Sequence, residues 1–125
     1  MKRILTISLL LIAFGFKVSN PAAMTFTEVK YNFGFIHQGD VVTHDFTFTN
    51  TGDEPIIITD ATVTCKCTST EFPKQPVLKG QTGVIKVTFN SENAIDRQER
   101  TVVVTSNATN SPVTLTYKCV VLKKK

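Results

Sequence analysis

Val41-Val-Thr-His-Asp-Phe-Thr-Phe-Thr-Asn50-Thr-Gly-Asp-Glu-Pro55 is the stretch that decides the fold of this chain. Alternate positions hold Val42, His44, Phe46 and Phe48, whereas the positions between them hold Thr or Asp. A period of two with β-branched and aromatic residues is typical of a strand with one buried face. The Asn, Gly, Asp and Pro residues that follow are turn formers. We therefore predict a strand over Val41–Asn50 that packs Val42, Phe46 and Phe48 into a core.

The same alternation recurs along the rest of the chain. The other predicted strands are Phe26–Phe35, Ile56–Cys67, Val84–Asn90, Thr101–Ser106 and Pro112–Leu122. Within the strand Val84–Asn90, the side chains of Ile85, Val87 and Phe89 are expected to face the core. The polar segments 68–83 and 91–99 are expected loops, the first with room for a short strand at residues 77–78. Short alternating strands without a helical pattern predict an all-β, immunoglobulin-like antiparallel β-sandwich of about seven strands.

The first residues have the composition of an export signal. Lys2 and Arg3 precede a largely apolar run of 13 residues, 4–16, which is shorter than the roughly 18 residues needed to cross a bilayer. The small residues of segment 19–23 offer a cleavage region. We expect a signal peptide at residues 1–23, a sandwich at 24–122 and a basic tail at 123–125, with a periplasmic or extracellular location. An uncleaved anchor or a buried helix is the alternative.

The excess of positive charge in this chain comes from its two ends. The formal charge of +4 comes from 14 basic and 10 acidic residues. Residues 1–23 contain three of the basic residues and none of the acidic ones, and residues 123–125 contain three more. The segment between them therefore has 8 basic and 10 acidic residues. Because no strand interleaves basic and aromatic residues, the sequence argues against a nucleic-acid partner.

The three cysteines are the strongest candidates for chemically reactive residues. Cys65 and Cys67 lie two positions apart, so in an extended strand their Cα atoms would be about 6.6 Å apart. A disulfide needs closer Cβ atoms, so this pair can close only if the chain kinks at Lys66. Thiols without chemistry, a structural bridge, and a redox or Cu(I) site all remain open. Cys119 shares its parity with the apolar Leu115, which predicts a buried free thiol.

Other reactive side chains do not form a recognisable catalytic pattern. His44 has the parity of Phe46, so it is expected to be a hydrogen-bonded core residue unless it meets the cysteine pair across strands. No Ser-His-Asp arrangement or carboxylate pair stands at a suggestive spacing. We therefore predict no catalytic residue, no metal site and no cofactor, and we do not expect an enzyme.

Several short motifs together resemble one known family. They are Phe33-Gly34-x-Ile36, His44-x-Phe46-x-Phe48-x-Asn50-x-Gly52, Cys65-x-Cys67-Thr68 and Gly83-x-Ile85-x-Val87-x-Phe89. Over about residues 31–121 the chain resembles the exported bacterial family catalogued as domain of unknown function fifteen-seventy-three. That family is similar in fold to the abnormal-spindle/hydin and major-sperm-protein immunoglobulin-like domains. The resemblance implies this fold and export, and it implies no chemistry.

Export, an all-β pattern and the lack of a catalytic set favour one functional class. We expect a non-enzymatic module of the cell envelope that binds a protein or glycan partner, with membrane involvement only during export. The alternative is a thiol redox or Cu(I)-binding protein that uses Cys65 and Cys67.

Overall fold

The structure is a computed structural model, and it describes residues 19–124. Most of the expected signal peptide lies outside the described residues. The strands are β1 (Met24–Phe26), β2 (Lys30–His37), β3 (Val41–Asn50), β4 (Ile58–Val63), β5 (Thr68–Glu71), β6 (Thr82–Asn90), β7 (Asp96–Ser106) and β8 (Val113–Leu122). Within residues 19–124 there is no helix that could cross a membrane.

The eight strands form two four-stranded sheets. Sheet I has the order β1-β3-β6-β5, and sheet II has the order β2-β8-β7-β4. The expected all-β, immunoglobulin-like sandwich is confirmed. It has eight strands where about seven were predicted. The arrangement is also not wholly antiparallel, because β2 runs parallel to β8.

The strand predicted over Val41–Asn50 is β3, one of the two inner strands of sheet I. β3 pairs with β6 from Val41 opposite Asn90 to Thr49 opposite Thr82. The inward residues Phe46, Phe48, Ile85, Val87 and Phe89 are all fully buried. Val42 is only partly buried and packs against the rim of this core. Each fully buried large side chain contributes roughly 1.5–3 kcal/mol of transfer free energy, so this row is the main stabilising element of sheet I.

A glycine makes room for one of these aromatic rings. Gly83 stands opposite Phe48 in the β3–β6 ladder. A Cβ atom added at Gly83 would collide with the Phe48 ring. A strand glycine at a point of close approach is the use expected of this residue.

The prediction of one continuous first strand is wrong, because the structure has two strands there. The segment Phe26–Phe35 is divided into β1, at the edge of sheet I, and β2, at the edge of sheet II. The chain changes sheets at residues 27–29, where Thr27 still donates its backbone N–H to the Thr47 carbonyl at 3.1 Å. This crossing contains no Gly or Pro, so it left no turn signal in the sequence.

Three further boundaries differ from the sequence prediction. The third predicted strand, Ile56–Cys67, ends at Val63, so both of its cysteines follow the strand. The predicted loop 68–83 begins with the edge strand β5, and the predicted loop 91–99 contains the start of β7. β5 pairs with β6 at the edge of sheet I, and the start of β7 pairs with β8 beyond the end of β4. Both segments are held by backbone hydrogen bonds at an edge position, which does not require an apolar face.

Asn50 ends β3 and organises the loops beyond it. Its side chain is 1% exposed. Its Nδ2 group donates to the carbonyl oxygens of Glu54 at 2.7 Å and Val77 at 2.9 Å, while its Oδ1 atom accepts from the Gly52 N–H at 3.0 Å. One buried amide therefore fixes two separate loops at the same end of the sandwich.

Candidate functional site

The predicted cysteine pair lies at the corner where the chain leaves sheet II for sheet I. β4 ends at Val63 and β5 begins at Thr68, with a turn between them. In this turn Cys65 and Cys67 form a disulfide, with Cα atoms 5.1 Å apart. This separation is shorter than the roughly 6.6 Å of an extended strand because the chain turns at Lys66. Of the alternatives left open by the sequence, the structure contains the bridge.

Backbone hydrogen bonds hold this corner in place. The Thr68 N–H donates to the Cys65 carbonyl at 3.1 Å, and the Asn90 N–H donates to the Cys67 carbonyl at 2.9 Å. The Cys67 N–H also points at the Cys65 sulfur, 3.1 Å away. The disulfide thus belongs to a turn that is fixed to the end of β6.

Thr68 attaches the corner to the core. Its side chain is buried, and its Oγ1 atom lies 2.5 Å from the Tyr117 hydroxyl. Tyr117 is on β8 in sheet II, so this hydrogen bond joins the two sheets through the interior. Burial raises the pKa of Tyr117, although the hydrogen bond between its hydroxyl and that of Thr68 opposes that shift. The hydroxyl therefore stays protonated, and the Cys-x-Cys-Thr motif here ends in a neutral buried hydrogen bond.

A surface groove of about 300 Å³ opens beside the disulfide. Its lining includes both cysteines, which are half-buried, together with Lys66, Glu92 and Arg100. The disulfide is therefore reachable from solvent. Two cations and one carboxylate surround it, so its immediate environment is moderately positive.

Arg100 is the member of this groove that sequence reasoning missed. It lies on β7 in register with Tyr117, and it shares its parity with the buried Val102. Its Nη2 atom donates to the Gln98 side chain at 2.6 Å, and its Nη1 atom donates to the Glu99 carbonyl at 3.1 Å. Had β7 been recognised from residue 96, this parity would have placed Arg100 between the sheets.

Cys119 takes no part in the disulfide. It is a free thiol that is 2% exposed, in agreement with the parity of β8. Burial raises the pKa of its thiol, and the charge of Arg100 opposes this only in part. Its protonated thiol therefore behaves as a small apolar core group.

His44 does not meet the cysteine pair. Its Nε2 atom lies 2.5 Å from a Glu28 carboxylate oxygen, and its ring stacks on Tyr31 with centroids 3.5 Å apart. β6 separates its strand from β5, so the histidine and the disulfide occupy different parts of the sandwich. Within residues 19–124 no three side chains of His, Cys, Asp or Glu are grouped as a metal site.

The outer face of sheet II carries an exposed apolar surface. Phe35 on the edge strand β2 is 74% exposed and pairs with Val120 of β8. Leu122, 40% exposed, is two residues further along β8. We call these three residues the Phe35 patch. A bulge between Asn32 and Phe35 turns the aromatic ring outward, and Gly34 supplies the positive φ of 76° that the bulge requires.

A groove of about 230 Å³ runs beside this patch. Its lining includes Asn32, Arg97, Glu99, Lys118 and Val120. Polar side chains of both signs therefore border an apolar centre. This is the composition expected at the rim of a binding surface, where charged residues surround a dry contact.

Comparisons with known structures agree with this architecture. A protein of unknown function from Porphyromonas gingivalis W83 gives a TM-score of 0.71 at 10% identity, over 79% of this chain and 46% of that chain. The PapD-like domain 7 of human CEP192, described as an ASH / PapD-like domain, gives 0.65 at 8% identity, over 98% of this chain and 100% of that domain.

A third similar structure is larger. The secreted serine protease VesC from Vibrio cholerae gives a TM-score of 0.60 at 15% identity, over 79% of this chain and 23% of the protease chain. The match spans less than half the length of VesC and of the Porphyromonas protein. At such identities these likenesses show the fold alone.

The sequence family is shown by a direct match. A search of curated proteins finds no match to this chain. The family model described as "Protein of unknown function (DUF1573)" matches residues 24–121, which is most of the chain and includes the Cys-x-Cys-Thr corner and all eight strands except the last residue of β8. The chain therefore belongs to the DUF1573 family.

Proposed function

We propose that this chain is an exported, non-enzymatic module of the cell envelope that binds a protein or glycan partner through the Phe35 patch. The observation that carries the proposal is the exposed Phe35 ring, which the fold orients outward with a bulge and a glycine. A large aromatic side chain outside the core contributes little to stability, whereas buried aromatic anchors contribute much of the free energy of many interfaces.

Burying the Phe35 side chain against a partner would release enough free energy for this residue to anchor the complex. Fully burying a phenylalanine is worth about 1.5–3 kcal/mol, and Phe35 as a residue is 74% exposed. An aromatic ring offers its apolar face to a protein side chain or to the flat face of a sugar. The patch therefore suits either class of partner.

Variants at two exposed positions test this proposal. The wild type and Phe35→Ser would be used to capture material from an envelope extract, and Val84→Ser would serve as the control. Val84 is a 38% exposed strand residue in sheet I, so its replacement removes an exposed apolar side chain from the other sheet. Material lost with Phe35→Ser and retained with Val84→Ser supports the proposal. Equal capture by all three proteins contradicts it, and protease treatment of the extract separates a protein partner from a glycan.

A second candidate function is favoured by the reachable disulfide. In thiol–disulfide exchange, one thiolate of a dithiol reductant would attack one sulfur of the bond and release the other cysteine as a thiolate. The second thiolate of the reductant would then break the mixed disulfide, so the reductant leaves as a disulfide and Cys65 and Cys67 remain as two thiolates. Arg100 and Lys66 would stabilise the resulting thiolates, while Glu92 would oppose them. The reduced pair would offer two soft sulfur ligands to Cu(I).

Intact mass separates this alternative from the first proposal. Protein would be isolated from the envelope with an alkylating reagent present from lysis, followed by metal analysis. A fraction with Cys65 and Cys67 alkylated, or a Cu(I) stoichiometry near one, supports redox or metal chemistry. A fully oxidised pair without metal under both aerobic and reducing growth contradicts it. Because Cys119 is free and buried, Cys119→Ser provides the matched control for background thiol signal.

A further inference from the structure

Residues 20–23, which the sequence offers as an export cleavage region, are bound into the sandwich. The Asn20 N–H donates to the Asp53 carboxylate at 2.8 Å, and the Asp53 N–H donates back to the Asn20 carbonyl at 3.1 Å. The Thr51 N–H donates to the Ala23 carbonyl at 2.9 Å. Five of the six atoms that make these three hydrogen bonds are backbone atoms, so the segment continues the pairing of β1 with the end of β3.

A second loop holds the same segment from its other side. The Thr109 N–H donates to the Ala22 carbonyl at 2.9 Å. The Asn110 side chain exchanges two hydrogen bonds with the Met24 backbone, accepting at 3.1 Å and donating at 2.7 Å. Residues 20–24 therefore bridge the loop after β3 and the loop between β7 and β8.

Packing at this segment is as close as in the core. Ala22 is 2% exposed and belongs to the buried cluster. The backbone of Pro21–Ala23 lies so close to Gly52 that a Cβ atom there would meet the Pro21 carbonyl oxygen, and it would lie 2.9 Å from the Ala22 Cα atom. Gly52 is thus the residue whose missing side chain makes room for this segment.

We infer that Asn20–Ala23 is a permanent strap of the mature domain, and that the protease which releases the export signal hydrolyses a peptide bond N-terminal to Asn20. This inference rests on the export that the proposed function includes. A cut after Ala22 or Ala23, the expectation from the small residues alone, would remove the partners of the Asp53 and Thr109 amides. It would also expose the cavity that Ala22 fills.

Two measurements on the protein exported from cells that express the full chain test the strap. N-terminal sequencing and intact mass are expected to show residues 20–23 retained. Hydrogen exchange is expected to show protected amides at Thr51, Asp53 and Thr109, although all three lie in loops at the surface. A mature chain that begins at Pro21 or any later residue overturns the inference. So do loop amides that exchange at the rate of an unprotected chain.

A charged substitution gives a directional check. Ala22→Glu places a carboxylate in a buried position, and it is expected to accelerate exchange at Thr109 by at least about tenfold because the local hydrogen bond is lost. Thr25→Glu, at an exposed position of β1, is expected to leave that amide unchanged. Equal acceleration by both variants, or by neither, counts against the strap.

The failure of export can be told apart from the failure of the strap. Protein found only in the cytoplasm with residues 1–19 attached refutes export and leaves the hydrogen-exchange pattern to decide the strap. Exported protein that lacks Asn20 refutes the strap and leaves the proposed binding function standing.

Discussion

Replacing Asn50 tests how the end of the central strand is held. Asn50→Ala removes three hydrogen bonds of a buried side chain, of 2.7, 2.9 and 3.0 Å, that join β3 to the carbonyls of Glu54 and Val77 and to the N–H of Gly52. At about 1 kcal/mol net for each bond, the expected loss is about 3 kcal/mol. A domain of this size has about 5–15 kcal/mol in total, so the loss is a large part of its stability.

The assay is equilibrium unfolding in urea and by heat, followed by circular dichroism. A loss of about 3 kcal/mol corresponds to a fall of roughly 12–24 °C in Tm for a domain near 100 residues. Asn93→Ala is the matched control, because it makes the same chemical change at an exposed loop position. It is expected to change the free energy of unfolding by less than about 0.5 kcal/mol.

Asn50→Asp is expected to make the free energy of unfolding depend on pH. Its carboxylate would face two carbonyl oxygens in a buried position, which raises the pKa of the new group above that of an unfolded aspartate. The folded state then binds the proton more tightly than the unfolded state, so the variant gains stability relative to the wild type as the pH falls from 7 towards 4. If Asn50→Ala costs no more stability than Asn93→Ala, or if Asn50→Asp shows no such gain, the Asn50 side chain does not hold the end of β3 in this way.

Three other substitutions or treatments have expected outcomes. Phe46→Ala should cost about 3–5 kcal/mol in urea unfolding, and equal losses from Thr47→Ala would contradict the one-sided burial of β3. Gly83→Ala should cost about 1–3 kcal/mol because the added methyl group collides with a core ring, and a neutral result would show that this ring is free to move. Reduction of the Cys65–Cys67 bond should lower the free energy of unfolding by no more than about 1.6 kcal/mol, because so short a loop restricts the unfolded chain little. A loss of several kcal/mol in the same urea assay would make the bond a main stabilising element.

The strands with a strict period of two could be predicted from the sequence. β3 has the predicted bounds, and residues 84–90 lie within β6. Five of the six proposed core residues are fully buried, and only Val42, near the start of β3, is partly exposed. Alternation reports side-chain burial, so it is informative wherever one face of a strand covers the core.

The changes of sheet could not be predicted in the same way. Residues 27–29 and the turn at Cys65–Cys67 carry the chain from one sheet to the other without a Gly or Pro to mark the place. β5 and the start of β7 are polar on both faces, so their strand character comes from backbone pairing with a neighbour that is distant in sequence. A local pattern holds no information about such a neighbour.

The candidate site could also be predicted only in part from the sequence. Cys65 and Cys67 are visible as a pair in the sequence, and the need for a turn at Lys66 follows from strand geometry. Arg100 and the Tyr117 hydroxyl reach this corner only through the order of strands in the two sheets. The outward orientation of Phe35 follows from the bulge at Gly34, which reverses the parity of β2, and a glycine inside a strand pattern is the sequence signal for such a bulge.

Site-specific crosslinking tests the proposed binding surface most directly. Phe35 would be replaced by the photoreactive benzoylphenylalanine in the full chain, expressed in its own cells, with the same replacement at Val84 as the control. We expect a discrete higher-mass adduct in the envelope fraction after irradiation of the Phe35 variant and none from the Val84 variant. No adduct at position 35, or the same adducts at both positions, would contradict this proposal.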